Sequence, residues 1–168
     1  MLTVALVALL ATAAAAQRAD RAWARTAYNE SRFDEAVEAA LAAQKVPATS
    51  DAATVVLSRA YLERYRQRAN PADLAGARVQ LGTVRIANLD ARDHIDYLMA
   101  LGEALFFEDD YGAAAAMFES GLDTAVANGP VTGEAMLDWW GSASERQADA
   151  LDRPAREALF ARMRDRMA

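Results

Sequence analysis

Two segments of the chain carry one layout. LGEALFFEDDYGAAAAMFESGL (101–122) and TAYNESRFDEAVEAALAA (26–43) each place small and apolar residues on both sides of a short polar turn. Aligning Tyr28–Ala36 with Phe106–Ala114 puts an aromatic at each end of the turn and an alanine three residues after the second aromatic. Helical periodicity on either side of such a turn describes a helical hairpin. One hairpin cannot bury its apolar face, whereas roughly three or more stacked pairs can, so the repetition points to an all-α fold of neighbouring helix pairs.

Composition agrees. Hydrophobic residues make up 54% of the 168 and charged residues 25%, with only 4 Pro and 8 Gly, which is too apolar for a disordered chain and too poor in breakers for an all-β one. The spacing predicts helices from Arg18 to about Asn29, Asp34 to about Gln44, and about Ala52 to Arg68. Asn70 caps the next, with Pro71 at its first position and Leu74, Val79, Leu81 and Val84 along it. Further helices are expected from His94 to Glu108 and Tyr111 to about Ala127. After a break at NGPVTG, two more run from Met136 to Ala150 and from Pro154 to Met167.

The first sixteen residues, MLTVALVALLATAAAA, are free of charged side chains and turn from apolar to small at Ala11. They read as a secretory signal peptide with an A-x-A site at Ala14–Ala16 and Gln17 as the mature start. The run stops at Arg18, short of the roughly 20 apolar residues that a membrane span needs, so no stable span is expected after cleavage. The expected location is periplasmic or extracellular.

Leu98, Leu101–Gly102, Leu105, Tyr111, Ala114, Phe118 and Leu122 stand where the tetratricopeptide repeat places its signature residues, and this part of the chain resembles that family. Trp23–Ala24, Phe33, Ala36 and Pro47 form a looser copy. Leu137, Trp140 and Gly141 repeat the spacing of Leu98, Leu101 and Gly102, suggesting a last, eroded unit. The resemblance implies a right-handed solenoid of about four antiparallel helix pairs, with approximate units 17–48, 51–88, 93–128 and 131–168. A plain antiparallel bundle is the alternative. In either fold the small residues Ala36, Gly102 and Ala114 are expected at close helix contacts, with Phe33, Tyr111 and Phe118 filling the space beside them.

Residue types that carry chemistry are sparse. Cys is absent and His94 is the one histidine, which excludes thiolate sites, His-based triads and multi-histidine zinc sites. His94 reads as a surface or capping residue. Glu108-Asp109-Asp110 lacks calcium-loop spacing and reads as an ordinary acidic turn, so no metal is assigned. The glycines are scattered singly and form no phosphate loop. Neither an enzyme nor a cofactor is expected. A formal charge of −6 also disfavours a nucleic-acid partner, since phosphate binding needs a basic footprint.

Charge is distributed in blocks. From Asp93 to Glu145 there are eleven acidic residues and no Lys or Arg, while Arg59 to Arg92 holds seven basic residues against three acidic. Solvated outer faces would explain this, as would a groove that changes sign along its length. In the family's superhelix, ligands lie along the concave side formed by the first helix of each pair. By position the resemblance then implies Arg18, Arg21, Arg25 and Asn29 in the first unit and Asp96, Met99, Glu103, Phe106 and Phe107 in the third. Phe106 and Phe107 have the alternative of packing against the next unit. Trp139 and Trp140 point about 100° apart on a helix. With Trp140 in the core, Trp139 either covers the end helix near Phe160 or Met163, or offers an aromatic anchor to a partner or second copy. The expected function is a protein- or peptide-binding scaffold, with a self-associating envelope subunit as the alternative.

Overall fold

The computed structural model describes residues 21–167, and the proposed signal peptide lies outside them. The described residues form helices and no strand. Residues 21–29 are helical (α1). They are followed by α2 (Phe33–Gln44), α3 (Ser50–Arg68), α4 (Pro71–Leu81), a 3₁₀ turn (Ile86–Asn88), α5 (Ala91–Phe107), α6 (Tyr111–Ala127), α7 (Pro130–Asp149) and α8 (Arg153–Met167). Helices pack with their neighbours in sequence: α2 with α3, α3 with α4, and α6 with α7, whereas α7 touches α8 only sparingly. The chain divides into two compact units, one up to Asp96 and one from Tyr97.

The first unit is built on alanine. Ala24 and Ala27 of α1, Ala36 and Ala40 of α2, and Ala60 of α3 are fully buried in one cluster with Val37, Val56 and Leu57. A methyl side chain lets two backbones approach closely, and Tyr28 and Tyr61 pack along the side of the cluster. Farther along, Gln44 Nε2 donates to Thr54 Oγ1 and Gln80 Oε1, each at 2.7 Å, joining α2, α3 and α4. Asn70 caps α4 through the N–H of Ala72, with Pro71 directly after it. The helix ends at Leu81, before Val84, and the 3₁₀ turn follows. Asp51, in the first turn of α3, holds this turn. It accepts from the Arg85 backbone N–H at 3.0 Å, Arg85 Nη2 at 3.0 Å and Asn88 Nδ2 at 2.6 Å.

The two similar segments fold into one turn geometry. Ser31 and Asp109, which align, both adopt left-handed backbone, with φ of 59° and 62°. The residues after them, Arg32 and Asp110, have φ/ψ of −90°/66° and −86°/66°. In each turn a backbone N–H reaches back five residues: Arg32 to Ala27 O at 2.8 Å, and Asp110 to Leu105 O at 3.0 Å. This bond closes the preceding helix as a Schellman motif. The bracketing aromatics meet edge to face in both, Tyr28 on Phe33 at 5.7 Å and Phe106 on Tyr111 at 5.2 Å.

In the second unit Gly102 of α5 lies under the Phe118 ring of α6. A Cβ there would stand 2.7 Å from Cδ1 and closer still to Cζ and Cε1. Helix α7 begins six residues earlier than the Met136 start read from the sequence. Gly129, at φ 128°, makes the turn that its flexibility permits, and Pro130 then takes the first helical position, where its missing N–H loses nothing. Trp140 is 1% exposed and sits in the core as expected. Gly141 does not repeat the role of Gly102, because a Cβ at Gly141 would meet nothing within 4 Å.

The two glycines therefore predict opposite outcomes. Gly102→Ala should destabilise the protein by about 1–3 kcal/mol through overpacking, and Gly141→Ala should stabilise it by about 0.5–1 kcal/mol through helix propensity. Denaturant titration of both variants checks this. Asp51 gives a pH test. Burial opposes its ionisation, but the hydrogen bonds from Asn88 and Arg85 outweigh that and hold the carboxyl below the usual aspartate range. A lowered folded value means stability that is full above the unfolded value, about 3.9, and lost as pH falls through the folded one. Asp51→Asn should cost about 1–3 kcal/mol at pH 7, and the gap to wild type should close as the pH drops below about 4.

Candidate functional site

The charged residues of the first unit meet one another. Arg21 and Arg25, one turn apart on α1, both reach Asp93 on the first turn of α5: Arg21 Nη1 at 3.5 Å and Arg25 through Nη2. Arg25 Nη1 also lies 3.1 Å from Asp96 Oδ2, and Arg59 of α3 donates to Asp96 Oδ1 at 2.7 Å. The Arg59 guanidinium covers the Tyr28 ring at 4.7 Å. Asp93 is 2% exposed, and its burial pushes the carboxyl up, with Arg25 opposing and neighbouring Asp90 adding to the rise. Asp90 accepts the Asp93 backbone N–H at 2.8 Å as a helix cap, and that bond holds Asp90 below its ordinary range.

This arrangement corrects part of the expected groove. Arg25 and Asp96, assigned to a basic and an acidic part, form an ion pair, and Arg21 joins the same network. Met99 and Glu103 are 4% and 3% exposed, so neither lies on an open face; both fall on the side of α5 that is covered. Asn29 is exposed at the end of α1, and Arg18 lies outside the described residues. The acidic turn has local duties: Asp110 caps α6 through the Ala113 N–H, and Asp109 accepts the Tyr111 hydroxyl. Among the described residues no group of three His, Asp or Glu side chains is placed to hold a metal ion.

In the second unit the aromatics gather. Phe106 meets Trp139 at 5.2 Å and Phe107 meets it at 5.9 Å, both edge on, while Phe118 stacks on Trp139 at 5.8 Å. Trp139 is thus half-buried against rings of α5 and α6. Phe106 and Phe107 take the packed alternative. Beside this cluster runs an open groove of about 570 Å³ lined by Phe106, Ser142, Glu145, Arg146, Asp149 and Phe160. A smaller depression of about 280 Å³, lined by Ala135, Asp138, Trp139 and Ser142, continues it along α7. The α7 positions recur every three or four residues and so occupy one helix face.

The sequence held a signal for this face. Leu137, Trp140 and Gly141 lie thirty-nine residues after Leu98, Leu101 and Gly102. Moving Asp96, Met99, Glu103, Phe106 and Phe107 forward by the same interval gives Ala135, Asp138, Ser142, Glu145 and Arg146, all of which line the groove. Compared with known proteins, the chain matches no family model, no curated protein and no solved structure.

Charge reversal separates the two regions. Asp96→Lys sets an ammonium against Arg25 and Arg59 and should lower stability by about 1–3 kcal/mol. Asp138→Lys, on the exposed face of α7, should change it by no more than about 0.5 kcal/mol. Thermal melts of the two variants report the difference.

Proposed function

We propose that the protein is an exported, non-enzymatic scaffold of the tetratricopeptide type that binds a segment of another protein along the open face of α7. The observation that carries this reading is the groove. It occupies the first helix of the last pair, at the register where the resemblance puts ligand-facing positions, and it combines half-buried aromatic surface with exposed polar side chains. Protein-binding surfaces favour that mixture, since rings supply contact area at low entropy and polar groups set orientation. The shared turn of the two hairpins and the glycine under Phe118 support a repeat architecture. The signal-peptide character of residues 1–16 supports export. Among the described residues no helix is long and apolar enough to cross a membrane.

Self-association is the second reading. Val126 and Val131, 60% and 80% exposed, flank the turn between α6 and α7 and form a small apolar patch. Selection from a displayed random-peptide library tests both readings. Peptides enriched on the wild-type protein should lose at least about tenfold in affinity on Ser142→Arg, which fills the groove, where tenfold corresponds to about 1.4 kcal/mol. No enrichment, or peptides indifferent to Ser142→Arg, would overturn the groove assignment. A concentration-dependent oligomer abolished by Val131→Lys would establish the second reading in its place.

A further inference from the structure

We infer that the α7 groove takes a cationic partner: an extended segment of a separate protein in which Lys or Arg alternates with apolar residues. The inference rests on the scaffold reading above and specifies its ligand. Three carboxylates stand along the groove, Asp138, Glu145 and Asp149, and among the described residues none of them is engaged in an ion pair. One cation, Arg146, shares the groove, and its guanidinium lies 5.6 Å over the Tyr111 ring. The face is therefore net negative.

The contrast with the first unit is informative. There Asp93 and Asp96 each carry bridges to arginines of the same chain. Three of the five arginines of α8 are held within the chain. Arg153 pairs with Glu157, Arg166 pairs with Asp123, and Arg156 donates to the carbonyl oxygens of Ala148 and Leu151. Carboxylates left uncompensated beside aromatic rings create a field that attracts cations and repels anions.

Size and surface define the ligand further. Ala135 to Asp149 is fourteen residue steps along the helix, about 21 Å at 1.5 Å per step, which matches about six residues of extended chain. Alternate side chains of an extended segment point to opposite sides. One set can lie against Phe106, Trp139 and Phe160 while the other reaches the carboxylates. The rings also suit Lys and Arg directly through cation–π contact.

The test uses calorimetry on the full chain with three synthetic eight-residue peptides: Arg alternating with Leu, Glu alternating with Leu, and Ser alternating with Leu. Wild type should bind the Arg peptide best, and its affinity should fall as salt is raised. The double variant Glu145→Lys/Asp149→Lys should lose at least about tenfold for the Arg peptide and gain affinity for the Glu peptide, 1.4 kcal/mol per tenfold. Glu38→Lys/Glu119→Lys makes the same change in net charge at residues that do not line the groove and should leave Arg-peptide affinity within about twofold of wild type. Circular dichroism and a melt confirm that both variants are folded. Equal binding of the Glu or Ser peptide by wild type, or an Arg-peptide affinity that the groove reversal leaves unchanged, would overturn the cationic assignment and leave the scaffold reading standing. Failure of all three peptides, together with a dimer abolished by Glu145→Lys/Asp149→Lys, would assign the groove to a second copy and overturn both.

Discussion

Helix backbones in this protein come together on side chains no larger than a methyl group. Ala24, Ala27, Ala36, Ala40 and Ala60 hold the first unit in this way, and Gly102 does so beneath Phe118 in the second. The rest follows from that closeness. Where the helices touch on alanine, Tyr28 and Tyr61 pack beside the contact, and Phe106 and Trp139 lie at the flank of the second unit. There they are half-buried and keep part of their surface toward solvent. The alanine contacts have little left to remove and are damaged chiefly by enlargement, whereas the large buried side chains such as Trp140, Phe118 and Leu57 keep the ordinary sensitivity to truncation.

Charge is used in two ways. In the first unit, acidic and basic residues from distant parts of the sequence neutralise each other: Arg25 meets Asp93 and Asp96 across 68 or more residues, and Arg85 meets Asp51 across 34. These pairs hold elements in place, α1 on α5 and the 3₁₀ turn on α3. In the second unit the carboxylates Asp138, Glu145 and Asp149 of α7 face solvent, and among the described residues none of them forms an ion pair. One chain thus assigns part of its electrostatics to internal bracing and leaves another part open to the outside.

Local features of the fold were legible in the sequence, and relations between distant segments were not. The paired aromatics announce both hairpin turns, because ring–ring contact across a short connection depends only on nearby residues. Gly102 is legible for the same reason, since its partner Phe118 follows sixteen residues later in the same hairpin. The start of α7 is misread because Gly-Pro resembles a breaker, although proline is at home in a first helical turn. The net-charge blocks are real, but sequence alone cannot tell that Arg25 faces Asp96. Glu103 and Met99 were placed on an open face by carrying over a register, and the structure buries both. The same register carried to α7 lands on exposed side chains, because α7 is only sparingly covered by α8 there.

The two left-handed turn residues, Ser31 and Asp109, bear on how the protein reaches its fold. Each turn closes its bonds within five residues and brings its two aromatics together over the same short span. Loop closure at that distance is entropically cheap and fast, on the order of tens of nanoseconds for a loop of about ten residues. Each hairpin can therefore form from its own chain segment before any remote contact exists. Contacts of this kind are local and can precede remote pairings such as that of Arg25 with Asp93. As the chain is made from its N-terminus, structure can thus begin to form while the later residues are still arriving.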